Sequence, residues 1–167
     1  MMARFAAPQR LGLALALAIV LLDQLTKFWL YQYLVVDGVH AVTVLPFFNL
    51  VTVWNYGVSF GMFSTGVAST AWIFSLLALA ISVALAIWLL RSDRVLLTVS
   101  LGLIIGGAIG NIIDRLRFGA VFDFLDFHAF GWHWPAFNVA DSAITIGVAV
   151  LFVDSLFGEG RESKKTP

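Results

Sequence analysis

Between Asp114 and Asp126 the chain carries three aspartates and two arginines, directly after a predominantly apolar run that begins at Val95. Two carboxylates brought within a few ångströms of each other cannot both ionise, so at neutral pH they share a proton. The ionised member can take a proton from water as that water attacks an amide carbonyl. The protonated member can polarise the carbonyl and then protonate the leaving nitrogen. Asp123 or Asp126, in Val-Phe-Asp-Phe-Leu-Asp-Phe, can supply one carboxylate and Asp141 the other, across a short turn over 131–135. Spacing alone does not choose among Asp123, Asp126 and Asp114.

Other chemistries find weaker support. Ser59 with Lys27 as its base would be a nucleophilic pair, but the Asn-Tyr-Gly-Val-Ser-Phe-Gly context has no Gly-x-Ser-x-Gly elbow, and Ser59 reads as a loop residue. His40, His128 and His133 are the candidate zinc ligands. No His-Glu-x-x-His occurs, and the last two, five apart beside two tryptophans, read as interfacial, so the zinc reading is weak. The absence of cysteine excludes disulfides, thiolate catalysis and Cys-ligated metal centres.

The elements that must position these groups are membrane spans. Of the 167 residues 60% are hydrophobic and 12% charged, with a mean hydropathy of +0.94, whereas soluble domains carry about 25% charge. A formal net charge of zero argues against a nucleic-acid partner. Crossing the hydrocarbon core takes about 20 apolar residues, and four windows qualify: 11–30, 71–90, 95–113 and 139–157. The first is interrupted by Asp23, Gln24, Thr26 and Lys27. It reads as an uncleaved anchor rather than a signal peptide, because apolar residues resume at Phe28 without a small-x-small cleavage site.

Arg4, Arg10, Arg91, Arg94, Arg161, Lys164 and Lys165 all fall on one side of a four-span arrangement, which should be cytoplasmic and hold both termini. Lys27, Arg115, Arg117 and the aspartates at 23, 37, 114, 123, 126 and 141 then lie at or near the outer face. The expected fold is an all-α membrane protein: four transmembrane helices with a small extracytoplasmic β platform. The outer segment 31–70 holds two strand-like runs, 40–45 and 49–54, on either side of Pro46. Residues 1–157 form one membrane-embedded domain, and 158–167 a polar, disordered cytoplasmic tail.

Several of the charged residues have a purely architectural reading. Gly102, Gly106 and Gly110 form a stripe that admits a close neighbouring helix, and the same spacing reaches Asp114. Asp114 and Arg115 would then be a buried network tying the third span to its neighbours, since charge inside a bundle must be paired. Asp23 and Lys27, at i and i+4 with the acid first, make a favourable helical ion pair. Asn138 can cap the fourth span, with Asp141 in its first turn.

Five ordered blocks carry a resemblance. DQLTK at 23–27, WNYGVSF at 54–60, GNIIDR at 110–115, VFDF at 121–124 and FNVADSAI at 137–144 together resemble bacterial lipoprotein signal peptidase, signal peptidase II, over essentially the whole chain. The resemblance implies an aspartyl endopeptidase of the bacterial cytoplasmic membrane, without metal or other cofactor. Its site would lie at the extracytoplasmic face and cleave diacylglyceryl-modified prolipoproteins just before the lipidated cysteine. It implies Asp123 and Asp141 as the catalytic pair, and Asn55, Asn111, Arg115 and Asn138 near the scissile bond. Asp23, Lys27, Gly57 and Asp114 match family positions that support the site, while Asp126 keeps an interfacial role. Arg115 is expected to hold a substrate carbonyl and Asn138 to orient Asp141. Ser59 stands where the family usually has alanine, which weakens any nucleophilic reading further. The expected partners are prolipoprotein substrates and membrane lipids, for a chain working as a monomer. A transporter or ion-pathway protein using Asp114, Asp141 and Arg115 as a relay is the competing class, because buried intramembrane charge is equally its signature.

Overall fold

A computed structural model describes residues 6–57 and 68–162. Four helices are long and apolar enough to cross a membrane: α1 (Ala7–Tyr31), α2 (Ala68–Leu90), α3 (Val95–Phe118) and α4 (Val139–Glu162). A π-helical turn, Gln32–Val36, continues α1 beyond the expected end of the first span. It buries Leu34 completely, against Phe122 and Phe124.

Most of the large apolar side chains on α1, α2 and α4 are exposed, as expected of helices whose solvent is lipid. The third helix differs. It packs against the other three and buries thirteen of its residues, Ser100, Gly102, Gly106, Gly107 and Gly110 among them. Small residues are what permit this. A β-carbon on Gly102 would collide with the Gly12 carbonyl of α1, and one on Gly107 with the Ala140 carbonyl of α4. Glycine lets one helix meet two neighbours backbone to backbone, and dispersion over that close contact replaces the hydrophobic drive that lipid cannot supply.

The platform is a four-stranded antiparallel sheet in the order β1 (Ala41–Leu45), β2 (Phe48–Asn55), β3 (Val121–Ala129) and β4 (Trp132–His133). The two strand-like runs expected within 31–70 form β1 and β2, and two further strands join them from beyond α3. VFDFLDF lacks the alternation of a half-exposed strand since it is covered on both faces, with Val121 to Phe124 all buried. The α3–β3 connection is abrupt. Gly119 takes the left-handed conformation (φ 74°), and its N–H donates to the Arg115 carbonyl at 3.0 Å, closing the helix.

A correction concerns the tail. Helix α4 runs to Glu162, so the disordered segment expected from residue 158 begins inside a helix. Extending an existing helix adds one hydrogen bond per residue ordered and needs no new nucleus, which offsets the poor helix propensity of Gly158 and Gly160. Ser59, Arg4, Lys164 and Lys165 lie outside the described residues.

Candidate active site

Asp123 sits near the start of β3 and Asp141 in the first turn of α4. Alternation along β3 separates the candidate carboxylates. Asp123, Leu125 and Phe127 share one face, while Phe122, Phe124 and Asp126 share the other. Asp123 and Asp126 therefore cannot both face Asp141. The even face carries the Phe122–Phe124–Leu34 cluster, and the odd face opens into a groove of about 540 Å³. Asn55, Asp123 and Asp141 line that groove with Trp134, Phe137 and residues of α4.

Three carboxamides hold the two aspartates. Asn138 Nδ2 donates to Asp123 Oδ1 at 2.7 Å, and Asn55 Nδ2 donates to Asp123 Oδ2 at 3.1 Å. Asn55 is itself oriented by the Gly57 N–H, which donates to its Oδ1 at 3.2 Å. Asn111 Nδ2 donates to Asp141 Oδ1 at 2.8 Å, and the Asn138 backbone N–H to Asp141 Oδ2 at 3.2 Å. Asn138 Oδ1 accepts in return from the Asp141 N–H at 2.9 Å, completing a reciprocal cap at the start of α4. The capping reading of Asp141 is thus geometrically present: one carboxyl oxygen accepts from the Asn138 N–H and the other from Asn111 Nδ2. The side chain of Asn138 reaches Asp123, whereas Asn111 fixes the Asp141 carboxyl. Asn138 therefore touches both aspartates, Asp123 through its side-chain amide and Asp141 through its backbone N–H and side-chain oxygen.

Asn111 also joins the pair to a second cluster, since its Oδ1 accepts from Lys27 Nζ and from Asn138 Nδ2, each at 3.2 Å. Lys27 Nζ lies 2.9 Å from Asp23 and 2.8 Å from Asp114, and all three residues are at most 4% exposed. Asp23 Oδ1 accepts the Ala140 N–H of α4 at 2.9 Å, and Asp114 Oδ2 accepts the Phe122 N–H of β3 at 3.1 Å. One ion-paired triad on α1 and α3 therefore anchors the two elements that present the catalytic candidates. Gln24, given no role from its place in DQLTK, donates to Asp23, Asp114 and the Gly110 carbonyl. Its position between Asp23 and Lys27 was the available signal. Arg115 Nη1 reaches the Asn111 carbonyl at 3.4 Å, and its Nε is buried with no partner among the described residues.

Burial drives the Asp123 carboxyl up from its usual value near 3.8 to about 7, with the neighbouring Asp141 charge adding to the rise and the amide hydrogen bonds opposing it. Asp126 behaves oppositely. Burial pushes its carboxyl up, but hydrogen bonds from Asn49 and His133 outweigh that and hold it below the ordinary range. Among the described residues, no three His, Cys, Asp or Glu side chains converge as metal ligands would.

Fold and site together define a multi-pass membrane protein with paired, amide-held carboxylates at one end of its helix bundle. The sequence family is equally definite. Residues 15–157 match the model of Signal peptidase (SPase) II, and the chain belongs to that family. It is 51% identical over 156 residues to the lipoprotein signal peptidase of Rhodopseudomonas palustris, covering 90% of this chain and 94% of the relative. Against that of Methylobacterium sp. (strain 4-46) the identity is 46% over 154 residues, covering 92% and 93%. A solved bacterial membrane enzyme superposes with a TM-score of 0.76 at 29% identity, covering 93% of each chain.

Proposed function

We propose that this chain is an aspartic lipoprotein signal peptidase that removes the signal peptide from diacylglyceryl-modified prolipoproteins, with Asp123 and Asp141 as its catalytic pair. The observation that carries the reading is the pair itself: two carboxylates held by neutral amides at the wall of an open groove that runs along a membrane-spanning helix. At neutral pH Asp123 holds the shared proton, in keeping with its upward displacement by burial. Asp141 takes a proton from a water in the groove as the water oxygen bonds to the scissile carbonyl carbon. Asp123 donates a hydrogen bond to the carbonyl oxygen as charge gathers there. Collapse of the tetrahedral species breaks the C–N bond, a proton passing to the leaving nitrogen, and the pair returns to its singly protonated state. Arg115 lies near enough to feel the charges of Asp141, Asp123 and Asp114 and serves to hold a substrate carbonyl.

The location of the groove suits a lipidated substrate. Ile144, Thr145 and Ile146 of α4 line it alongside Asp141, and Ile146 is half exposed on the lipid-facing side. A substrate anchored by acyl chains can enter laterally without leaving the bilayer. Arg10, Arg91 and Arg94 stand at the opposite ends of the helices from the site, which supports a cytoplasmic location for that end and a groove at the outer face of the bacterial inner membrane. Residues 1–157 would act as one peptidase domain, as a monomer in contact with membrane lipids. The relay reading is not favoured, since Asp114 is taken up by Lys27, Gln24 and the Phe122 amide. The test is incubation of the purified protein with a diacylglyceryl-modified precursor and with its unmodified counterpart. Release of the signal peptide from the former is expected, and no product from either would overturn the assignment.

A further inference from the structure

On the face of β3 opposite the catalytic pair, Asp126 is only 6% exposed and is gripped from two sides. Asn49 Nδ2 on β2 donates to its Oδ2 at 2.9 Å, and His133 Nδ1 on β4 lies 2.8 Å from Oδ1 and 3.0 Å from Oδ2. A carboxylate can only accept, so Nδ1 carries the hydrogen. One acidic side chain thereby ties three neighbouring strands together. The His128 ring stacks on His133 at 4.9 Å between centroids and completes the cluster.

The hairpin fastened in this way has little else to hold it. Strand β4 has two residues, and its register with β3 consists of His128 opposite His133 and Ala129 opposite Trp132. The two-residue loop puts both Phe130 (φ 51°) and Gly131 (φ 83°) in the left-handed region. That is the geometry of the tight turn that twisted strands prefer. The first of the two residues, however, is a phenylalanine rather than Asn, Asp or Gly, so its β-carbon opposes the turn. Phe130 is also fully exposed and gains no packing in return.

Immediately after the hairpin the chain becomes the groove wall. Trp134, Pro135, Ala136 and Phe137 line the cavity beside Asp141. The carboxyl end of this segment is pinned by the backbone, since the Phe137 carbonyl accepts from the Phe124 and Leu125 amides and its N–H donates to the Leu125 carbonyl. The amino end has one backbone bond, from the Trp134 N–H to the Phe127 carbonyl at 2.8 Å. Side chains alternate along an extended chain, so clamping His133 on the rear face presents Trp134 on the groove face. We propose that His133 and Asp126 form a positioning clasp that, from behind the sheet, sets the Trp134 wall of the substrate groove.

This inference rests on the proposed reading of the groove as the substrate site, and its test has two arms so that the two can fail separately. In lipid nanodiscs, H133F, which keeps an aromatic ring but loses the donor, should raise KM for the diacylglyceryl-modified precursor roughly three- to tenfold, with kcat within about twofold of wild type. H133N places an amide donor near the position of Nδ1 and should restore KM. The double variant D126L/H133F should be no worse than the poorer single variant, because both remove one interaction. In the second arm, hydrogen exchange without substrate should be faster across 128–136 in H133F and near wild type in H133N. Unchanged KM and unchanged exchange in H133F, or equal damage in H133F and H133N, would overturn the clasp. Faster exchange in H133F, with a wild-type protein that cleaves no precursor, would leave the clasp standing and remove the peptidase reading instead.

Discussion

Two carboxylate pairs flank Asn111, and they are built from the same parts to opposite ends. Asp23 and Asp114 have a lysine between them, and the adjoining cavity, of about 20 Å³, has room for about one water. Among the described residues no cation is ion-paired with Asp123 or Asp141, and Arg115 acts on them only from a distance. Neutral amides from Asn55, Asn111 and Asn138 hold them, and they face a groove of about 540 Å³. A cation between two buried acids satisfies both charges and makes a strut. Amides fix the geometry of two acids without neutralising them, so one must keep a proton, and that proton is available for chemistry. On the proposed reading, the counter-charge, more than burial or residue type, divides the structural pair from the reactive one.

The sharpest way to test that division is to remove one acid from each pair. Asp123→Asn and Asp141→Asn should lower kcat by about 10²–10⁴-fold or more, with thermal midpoint in detergent close to wild type. Retention of near-normal turnover by either would dissolve the catalytic pair. Lys27→Met should act the other way. It strands two carboxylates in the bundle and should cost about 3–5 kcal/mol of stability, read as lost folded yield and a lowered midpoint. If Lys27→Met stayed stable while turnover alone disappeared, the strut reading would be wrong. Asn111→Ala cuts the bridge between the pairs and should affect both readouts at an intermediate level, about 1–3 kcal/mol in each.

The pH dependence gives a subtler separation. With a folded pKa of about 7 against an unfolded value near 3.8, Asp123 is protonated below neutrality, and its protonated form is the one the fold favours. The stability it contributes is complete below the unfolded pKa and is lost as pH climbs through about 7, and the acid needed for turnover is lost over the same window. Activity should therefore fall on an alkaline limb centred near 7. The midpoint difference between wild type and Asp123→Asn should shift against wild type from pH 6 to 9, and a flat difference would contradict the buried acid. The smallest effect belongs to Asp126→Asn. Facing away from the groove, it should retain kcat within a few-fold, and complete loss of turnover would return Asp126 to the catalytic candidates.

Much of this was readable along the chain. Hydropathy alone yields four spans, because a helix that crosses the hydrocarbon core must be long and predominantly apolar. The i, i+4 spacing anticipates the Asp23–Lys27 pair, the glycine stripe anticipates the closely packed face of α3, and the resemblance singles out Asp123 and Asp141. The strand identity of 121–129 was not legible. A strand buried on both faces loses its alternation, and its partner β2 lies some seventy residues earlier, as in the Asn49–Asp126 pairing.

By itself the sequence determined that this is a four-span membrane protein with too much charge at one end of its helices to be inert. Such features arise from local composition and period, which need no distant partner. Only the tertiary structure decided what each charge does. Pleating turned Asp126 away from Asp123, the Asn138 cap sent its amide to Asp123 and shared Asp141 with Asn111, and Lys27 reached across from α1 to Asp114. A carboxylate's chemistry depends on which donors and charges stand within about 4 Å of it, and those neighbours came from segments up to 117 positions apart in the chain.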